Sequence, residues 1–398
     1  MKKFGVAAKK SPQAVLSAYT KSLQFEWAFL QRIVDADNDK YLSLKNAISS
    51  YLTPAILGCE VQDIEHELFA LPAKLGGLAI KNPMKMAERA MLTSKESIQI
   101  VSDAIKSGEE LDIHLHVNHL NLCTKEETKR RKQNEKEECN RIVDLLSPKM
   151  KRCVSRIVEG NASHWLTVIP TTADNYDLSP TQFRDALYLR YAKEITLPQV
   201  CDGCGSNMNV SHALNCKKGG LVKYGHDSLR NNNAALAKLA WNSVSLEPII
   251  RDAHGEEVNA LIGDVKVVGL WEAGKSAFLD YRIINADAAS YSQRHWSSIA
   301  NSAAREKHQK YDKPVEDIRG SFTPMICSVD GVLHIEFKQV LRRLAYTLSE
   351  KWNRPYSKVF EMVTIQTQFS IIRAVDMRLR GSRRKIYSLN EDGAGLGY

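Results

Sequence analysis

Apolar positions recur every three or four residues near the start of the chain, at Leu16, Tyr19, Leu23, Trp27 and Leu30. That is the period of one face of an α-helix, and residues 12–110 read as helical. Pro54, the Leu71-Pro72 step and the Gly76-Gly77 pair punctuate this part into short helices. Residues 124–141 break the pattern, with seven basic residues against five glutamates and no apolar stripe. The simplest expectation there is a solvated helical spacer, because interleaved charges of both signs largely cancel. From residue 148 apolar side chains return, with Trp165, Leu166, Phe183, Leu187, Tyr188 and Tyr191 offering a core. A helix is expected around 228–242. Between 261 and 284 the texture becomes rich in Val, Ile and Phe and predicts two strands. Helix resumes over 335–352, with Phe337, Val340, Leu341, Leu344 and Leu348 on one face. The expected class is therefore mixed α+β, with a helical N-terminal half.

Composition narrows the class of protein. The 398 residues are enough for two or three domains, and 43% hydrophobic with 25% charged residues excludes wholesale disorder. The N-terminus is too short and too basic for a signal peptide, and no apolar run reaches the ~20 residues of a membrane helix. There is no internal repeat. Eight cysteines without a secretion signal point to a reducing compartment, where clustered Cys bind metal more often than they pair. The expectation is a soluble, intracellular, multi-domain chain. A formal net charge of +9 suits a polyanionic partner such as nucleic acid. Much of it sits near the C-terminus, where Arg373, Arg378, Arg380, Arg383, Arg384 and Lys385 are opposed by Asp376 alone. The glycine-rich residues after Tyr387 read as a frayed end.

Two clusters carry candidate chemistry. Cys201, Cys204, His212 and Cys216 have the spacing C-x2-C-x7-H-x3-C. A C-x2-C turn brings two thiolates to one tetrahedral ion, and His212 and Cys216 sit one helical turn apart as the second pair. Structural zinc is the expected occupant; an ordinary turn with reduced thiols is the bland alternative. The other five cysteines are scattered and read as buried thiols.

The second cluster lies in the 261–284 strands. With the tip of a hairpin at Glu272, Asp264 and Asp280 are equidistant from it and face each other. Period-two alternation puts Asp280 and Arg282 on one face and Leu279, Tyr281 and Ile283 on the other. Opposed carboxylates repel at such short range, and a hard divalent cation such as Mg²⁺ would offset the repulsion. A cation so held could activate water against a phosphodiester. The plain alternative is an ion pair between Asp280 and Arg282 or Lys266. Other residues gain interest only beside this hairpin. Glu247 could be a third carboxylate or a surface cap, and His226-Asp227 catalytic, a spare zinc ligand or structural. Lys307 and Lys310-Tyr311 could contact phosphate or belong to a solvated face.

Several of these pieces together resemble one family. Phe69-Ala70-Leu71-Pro72-Ala73-Lys74-Leu75-Gly76-Gly77-Leu78-Ala79-Ile80 with Asn82-Pro83 is similar to the thumb segment after the polymerase domain of non-LTR retrotransposon proteins. The Cys/His knuckle, Gly219-Gly220…His226-Asp227, Asp264…Asp280-Tyr281-Arg282 and Lys307…Tyr311 resemble the C-terminal region of that group's restriction-like-endonuclease clade. Ser321-Phe322-Thr323-Pro324 and Arg378-Leu379-Arg380-Gly381-Ser382-Arg383 are similar to flanking pieces. The resemblance spans most of residues 25–385 in the family's order. It implies a restriction-endonuclase-like α/β core: a mixed central sheet flanked by helices. It also implies Asp264 and Asp280 as metal-binding acids, Lys307 and Tyr311 as the downstream Lys…Tyr, and the knuckle residues as zinc ligands.

The sequence departs from the family at Gly225, where Arg is usual, and at Ile262-Gly263, where a basic residue with Pro or Ala is usual. Arg282 stands where restriction nucleases carry Lys, and a guanidinium cannot act as a base. The chain has no Asp-Asp dipeptide, so the polymerase signature is missing and no polymerase activity is expected.

The resulting expectation has six parts: a thumb-like remnant over 1–110, a charged spacer over 111–147, a helical subdomain over 148–200, a zinc knuckle over 201–226, an endonuclease core over 227–320, and a basic helical region over 321–398. The expected activity is Mg²⁺-dependent nicking of DNA to prime reverse transcription of element RNA, in the nucleus. Catalytic roles fall to Asp264, Asp280, Arg282, Lys307, Tyr311 and His226; nucleic-acid contact falls to Arg378, Arg380, Arg383, Arg384 and Lys385. The alternative is a catalytically inactive, zinc-knuckle nucleic-acid-binding remnant.

Overall fold

Residues 1–193 and 194–398 form two separate units in a computed structural model that describes residues 1–34, 40–252 and 260–384. The chain is mixed α+β, 63% helical with a small mixed sheet. No helix among the described residues is long and apolar enough to cross a membrane.

The first unit is helical. The periodic face expected over 16–30 is interrupted: the helix Pro12–Lys21 buries Leu16 and Tyr19 and ends there. Buried Gln24 explains the stop. Its amide donates to Thr20 O at 2.6 Å and accepts from Lys81 N at 3.3 Å, which ties the chain into a turn and leaves Leu30 exposed. The Leu71-to-Ile80 segment turns tightly at Gly77, where a Cβ would lie 2.0 Å from Leu71 O. Arg190 and Tyr191 hold that turn from the helix Pro180–Arg190, donating to Ala73 O at 3.0 Å and Gly76 O at 2.9 Å.

The charged stretch differs most from expectation. It belongs to one helix, Ile113–Leu145, capped by Asp112 and packed along the helices Asp63–Ala70, Pro83–Ser97, Gln99–Ser107 and Pro148–Gly160. Cys123, Cys139 and Ile142 point inward, too sparse a stripe to register as a period. Glu96 with Arg130, Glu67 with Arg141, and Lys85 with Glu138 join its charged side to neighbouring helices. It is a packed wall of the first unit.

The second unit holds all the residues of the candidate sites. Its helices are α1 (Val210–Asn215), α2 (Leu221–Ala240), α3 (Trp296–Asp317), α4 (Ile335–Trp352) and α5 (Tyr356–Arg380). A four-stranded sheet has the order β1 (Val244–Leu246), β4 (Val265–Val268), β5 (Ser276–Ile284), β6 (Ser321–Ser328). A short separate pair joins β2 (Ile249–Arg251) to β3 (Leu261–Ile262). Strands β1, β4 and β5 are antiparallel neighbours, and β6 runs parallel to β5 after the crossover through α3.

Alternation along β5 sorts the two faces. Phe278 and Ile284 pack toward α3, with Tyr311 and Val315 around the first and Ile299, Ala300 and Ala303 around the second. Leu279 and Tyr281 face the other way, toward α2 and α4, beside Ala237, Val340 and Leu341. Tyr281 meets the ring edge of Phe337 at 5.8 Å. The sheet is thus covered on both faces at β5, which runs buried from Ala277 to Tyr281.

Candidate active site and metal centre

The knuckle is built by local hydrogen bonding. Cys201 N donates to Ser206 O and Gly205 N to Cys201 O, each at 2.9 Å, with Gly205 at φ 74° closing the turn. Asn209 caps α1 by accepting from His212 N at 2.8 Å, and Cys216 N donates back to His212 O at 2.8 Å. One turn of helix therefore carries His212 and Cys216 to the C-x2-C turn. Cys201 Sγ and Cys216 Sγ lie 3.9 Å apart, Cys204 Sγ and Cys216 Sγ 3.9 Å, and Cys204 Sγ and His212 Nε2 3.3 Å. Tetrahedral zinc with Zn–S near 2.3 Å requires S···S separations of about 3.8 Å. The four ligand atoms lie within 4.8 Å of one another, and the cluster can hold a metal such as zinc. Hydrogen bonds with Ser206 pull the Cys204 thiol down to about 6, which favours the thiolate a metal needs.

The hairpin has the expected register. Val265 pairs with Leu279 and Val268 with Ser276, so Asp264 stands opposite Asp280 at the end of the ladder. Asp264 Oδ2 accepts from Tyr281 N at 2.6 Å and from His226 Nε2 at 3.0 Å. Both bonds fall on one oxygen and leave Oδ1 directed by them but not consumed. Asp280 is buried; its Oδ1 accepts from the Tyr311 hydroxyl at 2.7 Å and its Oδ2 is ion-paired with Lys307. Lys310 Nζ donates to the same hydroxyl at 3.1 Å and lies over the Tyr311 ring. Helix α3 thus delivers Lys307 and Tyr311 to Asp280 from one face, while α2 delivers His226 to Asp264.

Protonation follows from these partners. Burial would lower the His226 pKa, but the hydrogen bond and charge of Asp264, the hydrogen bond to Asp227 and the charge of Asp280 outweigh it and hold the ring above its ordinary value. Its Nδ1 lies 3.1 Å from Asp227 Oδ1, so both ring nitrogens face carboxylates. Burial would raise Asp264, yet the His226 bond and charge and the Tyr281 N–H keep it below the usual carboxylate range. Burial and the Asp280 charge push the Tyr311 phenol up, so it remains a donor.

Sequence reasoning missed a ring of contacts behind Asp264. Asp227 Oδ1 is 3.3 Å from Arg230 Nη1, Arg230 Nη1 donates to Glu247 Oε1 at 2.8 Å, and Glu247 N donates to Asp264 O at 3.0 Å. The circuit returns to the residue where it began. Glu247 adopts φ 48°, a strained conformation for a non-glycine residue, held by these bonds. Its carboxylate is ion-paired with Arg230. The i, i+3 spacing of Asp227 and Arg230 was the available signal.

Three expectations need correction. Arg282 lies beyond the acidic pair, bonded to Glu306 Oε2 at 2.7 Å at the surface. Arg378 and Arg383 are buried, donating to Val222 O at 3.3 Å and to Ala213 O at 3.0 Å, so they hold the fold and are not free for phosphate. Arg384 is exposed and Arg380 donates to Thr196 O at 2.7 Å, while Lys385 lies outside the described residues.

Among the described residues, the knuckle is the cluster of three or more His, Cys, Asp or Glu side chains close enough to share an ion. The acidic pair supplies two such groups. No family model matches the chain, and no curated protein is similar to it in sequence.

Proposed function

We propose that the second unit is a metal-dependent phosphodiesterase, derived from a retroelement, that nicks DNA. The observation that carries this reading is the convergence of Asp264, Asp280, Lys307 and Tyr311 on one end of the β4–β5 hairpin. The register of one hairpin sets the two acids side by side, and α3 adds a lysine and a phenol to the buried Asp280. Asp264 Oδ1 and Asp280 Oδ2 would offer hard oxygens to Mg²⁺, with water and a phosphate oxygen completing its shell. The cation would activate the water, and Lys307, displaced from Asp280, would stabilise the developing phosphate charge. Tyr311 and His226 position the carboxylates. Arg384 and Arg380 would contact nucleic acid, and the substrates would be DNA and element RNA in the nucleus. A structural zinc in the knuckle completes the proposal.

Relaxation of supercoiled plasmid in Mg²⁺ tests it. Wild-type protein should convert supercoiled to open-circular DNA, and Asp264→Ala and Asp280→Ala should not. Equal cutting by all three, or none by wild type across divalent metals, overturns the enzyme.

One observation favours a second reading. The Lys307 ammonium already neutralises Asp280 in the place a cation would take. In that reading the chain binds nucleic acid without cutting it, and binding weakens steeply with salt. Salt-sensitive binding without nicking by wild type selects it.

A further inference from the structure

The basic C-terminal segment was expected to lie on nucleic acid, yet part of it lies inside the metal knuckle. Asp202, between ligands Cys201 and Cys204, accepts from Ser382 Oγ at 2.8 Å and from Arg383 N at 2.9 Å. Arg383 then passes its guanidinium to Ala213 O at 3.0 Å, to Gly381 O at 3.2 Å and to Arg378 O. Ala213 is the residue after ligand His212, on the other half of the knuckle.

The glycines tell the same story sterically. A Cβ on Gly203, in the C-x2-C turn, would lie 2.6 Å from Arg383 Cβ. A Cβ on Gly219, just past ligand Cys216, would lie 2.5 Å from Arg383 Cα. Both loops of the knuckle are therefore bare of side chain where residue 383 crosses them. One residue touches the turn carrying Cys201 and Cys204, the helix carrying His212, and the loop following Cys216.

We propose that Gly381–Arg384 is a structural wall of the metal centre, so that metal binding and docking of this segment are one coupled event. A metal fixes the two halves of the knuckle at the separation that Arg383 spans. The docked segment holds the same halves at the separation the metal requires. Each therefore strengthens the other by the same factor, as linkage demands. Residues that position a metal site from behind its ligands typically change affinity 10- to 100-fold on removal.

Two measurements on full-length protein test this. Asp202 is exposed and is not a ligand, so Asp202→Ala removes the latch without touching the Cys3His set. Zn²⁺ affinity, read by competition with a chromophoric chelator, should fall at least ~10-fold in Asp202→Ala. The Co²⁺-substituted spectrum of the variant should keep its thiolate charge-transfer bands, showing that the ligand set is intact. In wild type, trypsin should cut after Arg383 and Arg384 faster once metal is removed. Gly203→Ala, whose Cβ meets Arg383, supplies a second variant with the same expected loss. Unchanged Zn²⁺ affinity in Asp202→Ala and Gly203→Ala overturns the proposal, as does a tryptic rate at Arg383 indifferent to metal. Neither readout depends on any nuclease activity.

Discussion

The His226 ring and the Asp264 carboxylate meet at 3.0 Å, Nε2 to Oδ2, and the same oxygen takes the Tyr281 N–H at 2.6 Å. Two donors on one oxygen fix the plane of the carboxylate. His226→Gln keeps a donor but loses the second tie, to Asp227. Under the proposed reaction, nicking at limiting Mg²⁺ should fall about 10- to 100-fold, with partial recovery at saturating metal. A rate equal to wild type at limiting Mg²⁺ would remove the positioning role.

His308 gives a pH dependence with a definite sign. Its Nδ1 lies 2.8 Å from Asp312 and its Nε2 3.1 Å from Glu336, and its ring meets Phe322 edge-on. Burial would lower its pKa, but Asp312 and Glu336 together hold it above the ordinary value. A raised folded pKa contributes stability fully below about 6.5, and that stability is lost as pH rises through the folded value. Neighbouring His334 is shifted down by burial and by the His308 charge, and so contributes with the opposite sign. The test is therefore the difference in melting temperature between wild type and His308→Gln. That difference should shrink as pH rises from 6 toward 9; a constant gap would show that the ring is not charged in the fold.

Phe337 is fully buried and stands edge-on to Tyr281. Phe337→Ala should destabilise the second unit by about 3–5 kcal/mol in denaturant titration. A loss under about 1 kcal/mol would mean that the α4 face is not packed against the sheet as described.

Zinc should be present at one ion per chain by elemental analysis and absent from Cys204→Ser. Binding free energies of structural zinc are on the order of 10 kcal/mol, so the variant should also melt early. Full zinc content in Cys204→Ser would sink the Cys3His assignment.

The arginines of the C-terminal segment should divide into two classes. Arg384→Ala should lower the slope of log K against log salt for DNA binding by about 0.9, without loss of stability. Arg383→Ala should lower stability, because its guanidinium is buried among carbonyl oxygens. An unchanged melting curve for Arg383→Ala would contradict its buried place.

The hairpin was legible because two acids bracket a tip at equal distances within two runs rich in Val, Ile and Phe. The knuckle spacing was legible because C-x2-C and H-x3-C each describe one local turn. What stayed hidden depends on long-range partners. Gln24 ends a periodic helix by reaching Lys81, and no local pattern contains that contact. The stretch 124–141 shows no apolar stripe because the helix Ile113–Leu145 turns only Cys123, Cys139 and Ile142 fully inward. Arg378 and Arg383 read as surface charge because composition does not reveal which basic residues find carbonyl oxygens to bury against.

The parallel pairing of β5 with β6 has a consequence for the order in which the site comes into being. Strands β4 and β5 are joined by a short turn, and hairpins of that kind close in microseconds. Strand β6 can dock only after the long segment from Ile284 to Ser321 has looped back, bringing α3 with it. On that contact-order argument, Asp264 and Asp280 are expected to face each other before Lys307 and Tyr311 arrive. A divalent cation held by the two acids before α3 docks would have to give up Asp280 Oδ2 to the Lys307 ammonium, so it should slow the docking step and not speed it.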